Sequence, residues 1–415
     1  MIKKISKCRL CKSNKIDEVI NLHKSPLANN LKNNQISSLN QKKFPLKVFF
    51  CKKCFHLQLS HIVNPKLLFN NYLYLTGTAK STHQHFEKYY KSIKLRLKKK
   101  QNKIIEIASN DGTFLNKFNK SFKKIAIEPA KNLKKFYKNK DIDLINTFFN
   151  KKISQKIKKK YGKFDVVTAN NVCAHIDNFD NFIEGVKNIL SLKGFFVFEV
   201  SYLKDVLIKN TFDTIYHEHI DFHSLGPLVS YFKKFKLNIF DVEFSKVQGG
   251  SIRIYVCHFL SGKKINSIIT KTIKNEKNFG IYKKSTYTKF QKKLIKNKIK
   301  LKLLLKKIKQ KNCKIYGYGA AAKTTTLLNF FEIDNDIIEK IVDDNKLKQN
   351  KFIPGTKIKI YDPKVLYLDK PDYVLILSWN YSNFIIKKHK RFRKLGQFII
   401  PFPIPRIFKF RSDYV

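Results

Sequence analysis

Apolar residues in this chain fall into short runs that alternate with polar, helix-like segments. Between Lys103 and about Phe244, five runs have the length and composition of buried strands: Ile104–Ser109, Lys124–Pro129, Ile142–Phe148, Phe164–Asn171 and Gly194–Tyr202. Strands that alternate with helices form βαβ units and a parallel sheet. We expect two later runs, Leu237–Phe244 and Ser251–Phe259, to complete this sheet, with a pair of glycines between them.

The rest of the chain predicts further helices and a second α/β unit. Apolar residues at helical spacing run from Phe86 to Leu97, and residues 260–312 form a lysine-rich helical segment. The apolar stripe of that segment is Phe290, Leu294, Leu301, Leu305 and Ile308. Four strands follow it: Lys314–Gly319, Glu339–Asp343, Tyr373–Trp379 and Gln397–Pro401. We therefore predict an α/β protein with a small module in residues 1–75 and two α/β domains in residues 76–244 and 245–415.

Composition limits the classes of partner. The chain has 415 residues, of which 43 % are apolar, and this excludes a wholly disordered protein. Lys and Arg number 85 against 30 Asp and Glu, a formal charge of +55, yet only seven of the 85 are arginine. Proteins that recognise base edges and phosphates favour the forked guanidinium of arginine, which is rare here. We therefore attribute the lysine excess to a drift in codon usage and expect no specific nucleic-acid partner. No apolar run approaches the roughly 18 residues of a membrane span, and no apolar signal core precedes Cys8. We therefore expect a cytoplasmic protein without membrane contact. We also expect a monomer.

Four of the seven cysteines form two Cys-x-x-Cys pairs, Cys8 with Cys11 and Cys51 with Cys54. Each pair places two thiolates on one tight turn, and two pairs complete the tetrahedron that zinc prefers. We predict a structural Zn²⁺, because four protein ligands leave no open coordination position. Reduced thiols without metal are the alternative, and His56 and His61 are possible substitute ligands.

A polar turn follows the first strand of the middle domain, at the edge where a parallel sheet binds ligands. A carboxylate after the second strand can accept hydrogen bonds from ribose hydroxyls, and amides after the fourth can meet an adenine. The pattern fits S-adenosylmethionine better than a dinucleotide, because the Gly-x-Gly-x-x-Gly turn for a pyrophosphate is missing. Plain strand ends are the alternative. The predicted cofactor-binding residues are Glu106, Ala108, Ser109, Asn110, Asp111, Gly112, Glu128, Asn170 and Asn171.

Ionisable residues gather after the fifth strand, in the segment from Asp213 to His219, and His175 follows the fourth strand. These positions lie at the same edge of the predicted sheet. Neighbouring ionisable groups shift each other's pKa values, and histidine is the commonest general base. A metalloprotease is excluded because His217 and His219 are two residues apart and not four.

A second turn, Gly317-Tyr318-Gly319-Ala320-Ala321-Ala322-Lys323, joins a strand to a helix in the C-terminal domain. The amides of a helix N-terminus and the ammonium of Lys323 suit a phosphate. The spacing from glycine to lysine excludes a Walker loop, and a vestigial Rossmann turn is the alternative.

Together these motifs resemble the zinc-containing, three-domain C-methyltransferases that act on nucleotide-linked ketosugars in deoxysugar biosynthesis. The resemblance spans essentially the whole chain. It departs from the family at Ala108, where glycine is usual, and in the lysine excess. The matching segments are the cysteine pairs, Glu106…Gly112, Asn171…His175, Tyr216-His217-Glu218-His219, Gly249-Gly250-Ser251, Gly317…Lys323 and Asp343-Asp344-Asn345.

The resemblance implies S-adenosylmethionine in a class I methyltransferase domain and a nucleotide-linked ketosugar between the middle and C-terminal domains. It assigns His219 as the base, with Tyr216, Glu218 and His175 lining the reacting sugar. The substrate-binding residues that it implies are Tyr72, Tyr74, Ser251, Gly317, Gly319, Ala321 and Lys323.

The implied chemistry is C-methylation. A carbon next to a ketone must lose a proton before it can attack a methyl group, and a neutral imidazole with an ordinary pKa near ~6.5 can accept that proton. Two other functions stay open at this point: methylation of oxygen or nitrogen on a sugar, and RNA binding by a zinc-containing protein, which the positive charge suggests.

Overall fold

The N-terminal module is a small antiparallel structure. The computed structural model describes residues 2–69, 75–78, 80–138 and 140–408, so the predicted substrate residues Tyr72 and Tyr74 lie outside the described residues. The elements of the N-terminal module are β1 (Ile2–Lys4), β2 (Ile16–Ser25), α1 (Gln35–Leu39), β3 (Phe44–Cys51), β4 (Leu57–Leu59), β5 (His61–Val63) and α2 (Pro65–Phe69). Strands β2, β3 and β4 pair antiparallel in order, and β1 pairs with β5.

The middle part of the chain forms the predicted α/β sheet. Its elements are α3 (Lys80–Arg96), β6 (Lys103–Ile107), β7 (Lys123–Ile127), β8 (Ile142–Ile145), α4 (Lys151–Tyr161), β9 (Phe164–Asn170), α5 (Phe179–Ile189), β10 (Leu190–Ser201), α6 (Leu203–Lys209), β11 (Asp221–Phe222), α7 (Leu225–Lys233), β12 (Leu237–Ser245) and β13 (Ser251–His258). Seven strands lie in the order β12-β13-β10-β9-β6-β7-β8. The pairs from β10 to β8 are parallel, and β13 is antiparallel to both of its neighbours. The carboxyl ends of β6, β7 and β9 therefore meet at one edge.

Two of the predicted helical connections are wrong in type. Only the 3-10 helices 115–117 and 131–136 lie between β6 and β7 and between β7 and β8. The turn after β6 delays the helix, because Ala108, Asn110 and Gly112 all take left-handed backbone conformations. The connection after β7 is lysine-rich, and its 3-10 helix buries Leu133 alone, so this helix has no apolar stripe to extend into an amphipathic face.

The predicted division of the chain at residue 244 falls within a paired sheet. Strand β13 lies beyond that position and hydrogen-bonds between β12 and β10 in the middle sheet. The middle segment also reaches into the N-terminal module, because β11 pairs with β4 as that module's fourth strand.

The C-terminal part forms a second α/β unit, as predicted. Its elements are α8 (Ile268–Phe279), α9 (Lys284–Lys309), β14 (Ile315–Tyr318), α10 (Ala322–Phe331), β15 (Lys340–Val342), β16 (Ile360–Tyr361), α11 (Val365–Leu368), β17 (Tyr373–Ile376), α12 (Ser382–Lys388), β18 (Gln397–Ile400) and β19 (Arg406–Ile407). The sheet order is β16-β15-β14-β17-β18-β19, parallel except for the last pair.

The lysine-rich stretch is two helices, because Gly280 ends α8 in a left-handed conformation. The apolar stripe predicted for it is buried along α9. That helix packs on β2, and its Tyr287 contacts Phe50 in a core shared by the N-terminal and C-terminal units. No helix among the described residues has the length and apolar content to cross a membrane.

The four cysteines of the N-terminal module converge as predicted. The Sγ atoms of Cys8, Cys11, Cys51 and Cys54 all lie within 4.8 Å of one another. Four thiols from two turns match the donor set of a structural zinc ion. A hydrogen bond from Cys54 lowers the pKa of Cys8 to about 4, so a thiolate is already favoured there. Zn²⁺ held here would tie the turn before β2 to the turn after β3.

The first prediction concerns this metal. We expect Cys51→Ser to reduce the bound zinc from about one ion per chain to near zero, because three thiolates hold zinc less tightly than four. The melting temperature should also fall. Plasma emission spectroscopy measures the zinc content, and calorimetry measures the melting temperature. Cys313→Ser is the control, since Cys313 lies outside the cluster. A wild-type protein without zinc, or a Cys51→Ser protein that keeps it, contradicts the assignment.

The second prediction concerns the turn between β12 and β13. Gly250 has φ +127°, and a Cβ there would lie 2.6 Å from Cγ of Asp205. Gly262 also has a positive φ, +71°, but a Cβ there would meet no described atom within 4 Å. We expect Gly250→Ala to destabilise the protein by roughly 2 kcal/mol or more and Gly262→Ala by about 1 kcal/mol. Equal melting temperatures for the two variants would contradict this reading of the turn.

Candidate active site

A large cleft of about 1340 Å³ runs along the carboxyl edge of the middle sheet. One wall is formed by residues after β6, β7 and β9, and the opposite wall by the start of α10 and the segment after β17. Both α/β units therefore face the same space, as the strand ends predict.

The turn after β6 forms the floor of one half of the cleft. Ala108 has φ +53°, a left-handed conformation in which glycine would be less strained than alanine. The backbone N–H of Asn110 donates to Glu128 Oε2, and that of Ala130 donates to Glu128 Oε1, both at 2.8 Å. The Glu128 carboxylate thus joins the first two strand ends, and burial raises its pKa to about 7.

Glu106 and Asn170 meet between β6 and β9. Asn170 Nδ2 donates to Glu106 Oε1 at 2.7 Å. The other carboxylate oxygen, Oε2, is buried and has no hydrogen-bond partner among the described residues. Burial raises the pKa of Glu106 well above its usual value. A cation or hydrogen-bond donor in the cleft would satisfy this oxygen.

The remaining predicted cofactor residues divide into two groups. Ser109 and Asn171 also line the cleft. Asp111 and Gly112 do not line it: Asp111 accepts from the N–H of Gly77 at 2.7 Å, and a Cβ on Gly112 would contact Tyr137. These two residues therefore shape the turn from behind.

His219 is held in one tautomer at the centre of the cleft. Its Nδ1 lies 2.7 Å from the carbonyl oxygen of Thr214, which can only accept, so Nδ1 carries the proton. Its Nε2 lies 3.0 Å from the Tyr216 hydroxyl. Burial lowers the pKa of His219 to about 4, with a smaller contribution from the ammonium of Lys323. At neutral pH the ring is therefore uncharged, and the lone pair on Nε2 accepts from Tyr216.

His175 lies beside His219, with ring centroids 5.0 Å apart, and it lines the cleft with Tyr216. Burial lowers the pKa of His175 well below its usual value, and His219 adds to this effect. Glu218 does not reach the cleft wall: it is buried and accepts from Asn29 Nδ2 at 2.6 Å. Asn29 does line the cleft, so Glu218 contacts the site through its neighbour.

The C-terminal wall brings Ala321 and Lys323 to the cleft. Lys323 Nζ is buried without a hydrogen-bond partner among the described residues, and so is Asp213 Oδ1. Trp379 Nε1 donates to the other oxygen of Asp213 at 2.8 Å. This wall therefore presents a cation at the first turn of α10.

Three predicted substrate residues lie away from the cleft lining. A Cβ on Gly317 would lie 2.7 Å from Leu377, and one on Gly319 would collide with Ser378. The two glycines therefore allow β14 to pack closely against the segment after β17. Ser251 is buried, and its hydroxyl donates to the carbonyl of Val247.

The sequence pattern did not indicate two further residues, His85 in the cleft lining and Arg9 outside it. His85 of α3 lines the cleft, and its Nε2 lies 2.8 Å from Glu199 Oε1. Arg9, between the first two cysteines, is buried against Asp221 and the segment after His175. The rarity of arginine in a lysine-rich chain was the available signal for Arg9, because lysine cannot provide the same fork of donors.

Comparison with known proteins supports the methyltransferase interpretation. Residues 8–69 match a zinc binding domain, residues 82–242 a methyltransferase domain and residues 246–403 a C-methyltransferase C-terminal domain. C-methyltransferase NovU of Streptomyces niveus is 30 % identical over 415 residues, 99 % of each chain.

Solved structures align less closely. An S-adenosylmethionine-dependent methyltransferase from Clostridium acetobutylicum is 15 % identical and aligns over 44 % of this chain and 93 % of its own, with a TM-score of 0.33. The plantazolicin methyltransferase BpumL in complex with SAH is 11 % identical over 42 % and 82 % of the two chains, with a TM-score of 0.34. The full-length relative and the three matched domains identify this chain as a member of the zinc-containing, S-adenosylmethionine-dependent C-methyltransferase family.

Proposed function

We propose that the protein methylates a carbon next to the ketone of a nucleotide-linked sugar, with His219 and Tyr216 as the proton acceptor. The observation that carries this proposal is the neutral imidazole of His219, whose Nε2 lone pair faces a tyrosine hydroxyl in a cleft shared by two α/β units. The family supports S-adenosylmethionine as methyl donor, and the relative NovU supports carbon as the acceptor atom.

The residues after β6, β7 and β9 fit the methyl donor. Glu106 Oε2 is a buried carboxylate oxygen without a described partner, and it suits the cationic amino-acid end of S-adenosylmethionine. Glu128 suits the ribose hydroxyls, and Asn170 and Asn171 suit the adenine edge. When bound, the cofactor supplies an electrophilic methyl group, because the sulfur that carries it is positively charged. The protein need only hold the acceptor carbon in line with it.

Proton removal is the step for which this chain supplies the chemistry. The Tyr216 hydroxyl oxygen accepts the proton from the carbon next to the ketone while its own proton passes to His219 Nε2. The electron pair of that C–H bond moves onto the ketone oxygen to give an enolate. His175 or the ammonium of Lys323 can stabilise the developing negative charge. With the methyl donor bound, the enolate carbon would form the new C–C bond as the C–S bond broke, and His219 would then release its proton to water.

The C-terminal wall fits a nucleoside diphosphate. Lys323 and the first amides of α10 suit an anionic linker, and Arg406 and Lys348 also line this half of the cleft. The carboxylate of Asp213 already interacts with the ammonium of Lys323, but Lys348 and Arg406 add two further positive charges to this half of the cleft. We therefore infer that the sugar enters with a charged nucleotide attached.

The third prediction concerns the product. Purified protein, labelled S-adenosylmethionine and a panel of nucleotide ketosugars should yield a product whose ¹³C spectrum shows a methyl group on carbon. A methyl signal on oxygen or nitrogen, or no transfer to any ketosugar while SAH binds, would contradict the proposal. We expect His219→Asn to keep SAH affinity and to lose about 10²–10⁴-fold in kcat, the usual contribution of a general base. His258→Asn is the control, because His258 lies outside the cleft.

The fourth prediction concerns pH. The His219 imidazole must be neutral to accept a proton, and its pKa is about 4, so protonation of this ring lowers kcat only as pH falls through that value. We expect kcat to stay nearly constant from pH 8 to about pH 5.5, well below the ordinary histidine pKa of ~6.5. Lys323→Met removes a nearby positive charge and should move the acid limb to higher pH. An acid limb at pH 6.5 or above in the wild-type protein would contradict the buried, neutral ring.

A further inference from the structure

We infer that Arg9 is a positioning residue that couples the zinc turn, residues 8–11, to His175 and His219 in the cleft. Arg9 stands between Cys8 and Cys11, and its side chain is buried with the residue only 7 % exposed. Its guanidinium leaves the N-terminal module and contacts two segments of the middle domain. The significance of this contact for methyl transfer rests on the proposed function, but the contact itself can be tested without it.

The first segment held by Arg9 directly follows His219. Arg9 Nε donates to Asp221 Oδ1 at 2.9 Å and to Oδ2 at 3.1 Å. His56 Nε2, from the turn after the second cysteine pair, lies 2.8 Å from the same Oδ1. Asp221 is 2 % exposed. One side chain from each cysteine turn, Arg9 and His56, therefore contacts the buried carboxylate of Asp221. Asp221 lies two residues beyond His219.

The second segment directly follows His175. Arg9 Nη2 donates to the carbonyl oxygens of Ile176 and Asp177, the latter at 2.6 Å, and Nη1 donates to Asp177 Oδ1 at 3.3 Å. The two segments are also joined directly, because the N–H of Ile220 donates to the carbonyl of Ala174 at 2.8 Å. One guanidinium thus anchors both chain segments within two residues of the paired histidines.

Arginine suits this task and lysine does not. The planar fork donates to a carboxylate on one side and to two backbone carbonyls on the other, whereas an ammonium is a single point charge. The matched position in the second pair is Lys52, which is exposed and pairs only with Asp17 among the contacts described for its Nζ. The two pairs thus differ in function: the first carries a buried anchor and the second a surface cation.

Hydrogen–deuterium exchange measures this coupling directly. We expect Arg9→Gln to speed amide exchange in peptides covering residues 172–178 and 214–224 by about fivefold or more, because several buried hydrogen bonds are lost. Zinc content and SAH affinity should stay near the wild-type values, since neither the thiols nor the turn after β6 is altered. With a sugar substrate, kcat should fall more than KM rises. Arg9→Lys should recover part of the protection, and Lys52→Gln should leave it unchanged.

Asp221→Asn tests the same link from outside the zinc turn. It should speed exchange in the same two peptides, and the double variant with Arg9→Gln should add little to either single change. Unchanged exchange in both peptides of Asp221→Asn or of a zinc-loaded Arg9→Gln protein would overturn the inference. If Arg9→Gln fails to hold zinc, Arg9→Lys and Asp221→Asn decide the question. Exchange and SAH binding need no sugar, so a failure of the proposed function gives a different pattern: coupled segments in a protein that methylates no ketosugar.

Discussion

The hydrogen bond from His219 Nδ1 to the Thr214 carbonyl is the constraint on which the site depends. A carbonyl cannot donate, so this contact decides which ring nitrogen carries the proton and leaves Nε2 as an acceptor towards Tyr216. Burial then keeps the ring uncharged by lowering its pKa. Without that contact the ring could turn, and the lone pair would no longer be fixed beside the cleft.

The three parts of the chain hold this site together by sharing structure. Strand β11 carries the segment after His219 into the sheet of the zinc module, and α9 packs the C-terminal unit against the same module. The cleft wall opposite His219 comes from α10 and the segment after β17. Small movements of one part would therefore change the distance between the methyl donor and its acceptor, and methyl transfer depends steeply on that distance.

Local patterns in the sequence predicted the features that local physics determines. Strand ends, the turn after β6 and the two cysteine pairs were placed correctly, because each is a short run with its own geometry. The direction of side chains was harder to predict. Glu218 turns away from the cleft although Tyr216 and His219 line it, and Gly317 and Gly319 allow close packing. Arg9 and His85 act through partners distant in sequence, so no spacing pattern shows them. Among the described residues, the predicted α-helix between β6 and β7 is absent because the turn after β6 is left-handed. The one between β7 and β8 is absent because that stretch is polar.

Solvent exchange at the acceptor carbon shows whether His219 is needed for proton removal. In D₂O, with SAH bound in place of the methyl donor, the protein should incorporate deuterium at the carbon next to the ketone of the proposed sugar nucleotide, and ¹H NMR would show the loss of one proton signal. We expect this exchange in the wild-type protein and its loss in His219→Asn. Exchange at the same rate in both proteins would contradict it, because a different group would then be removing the proton.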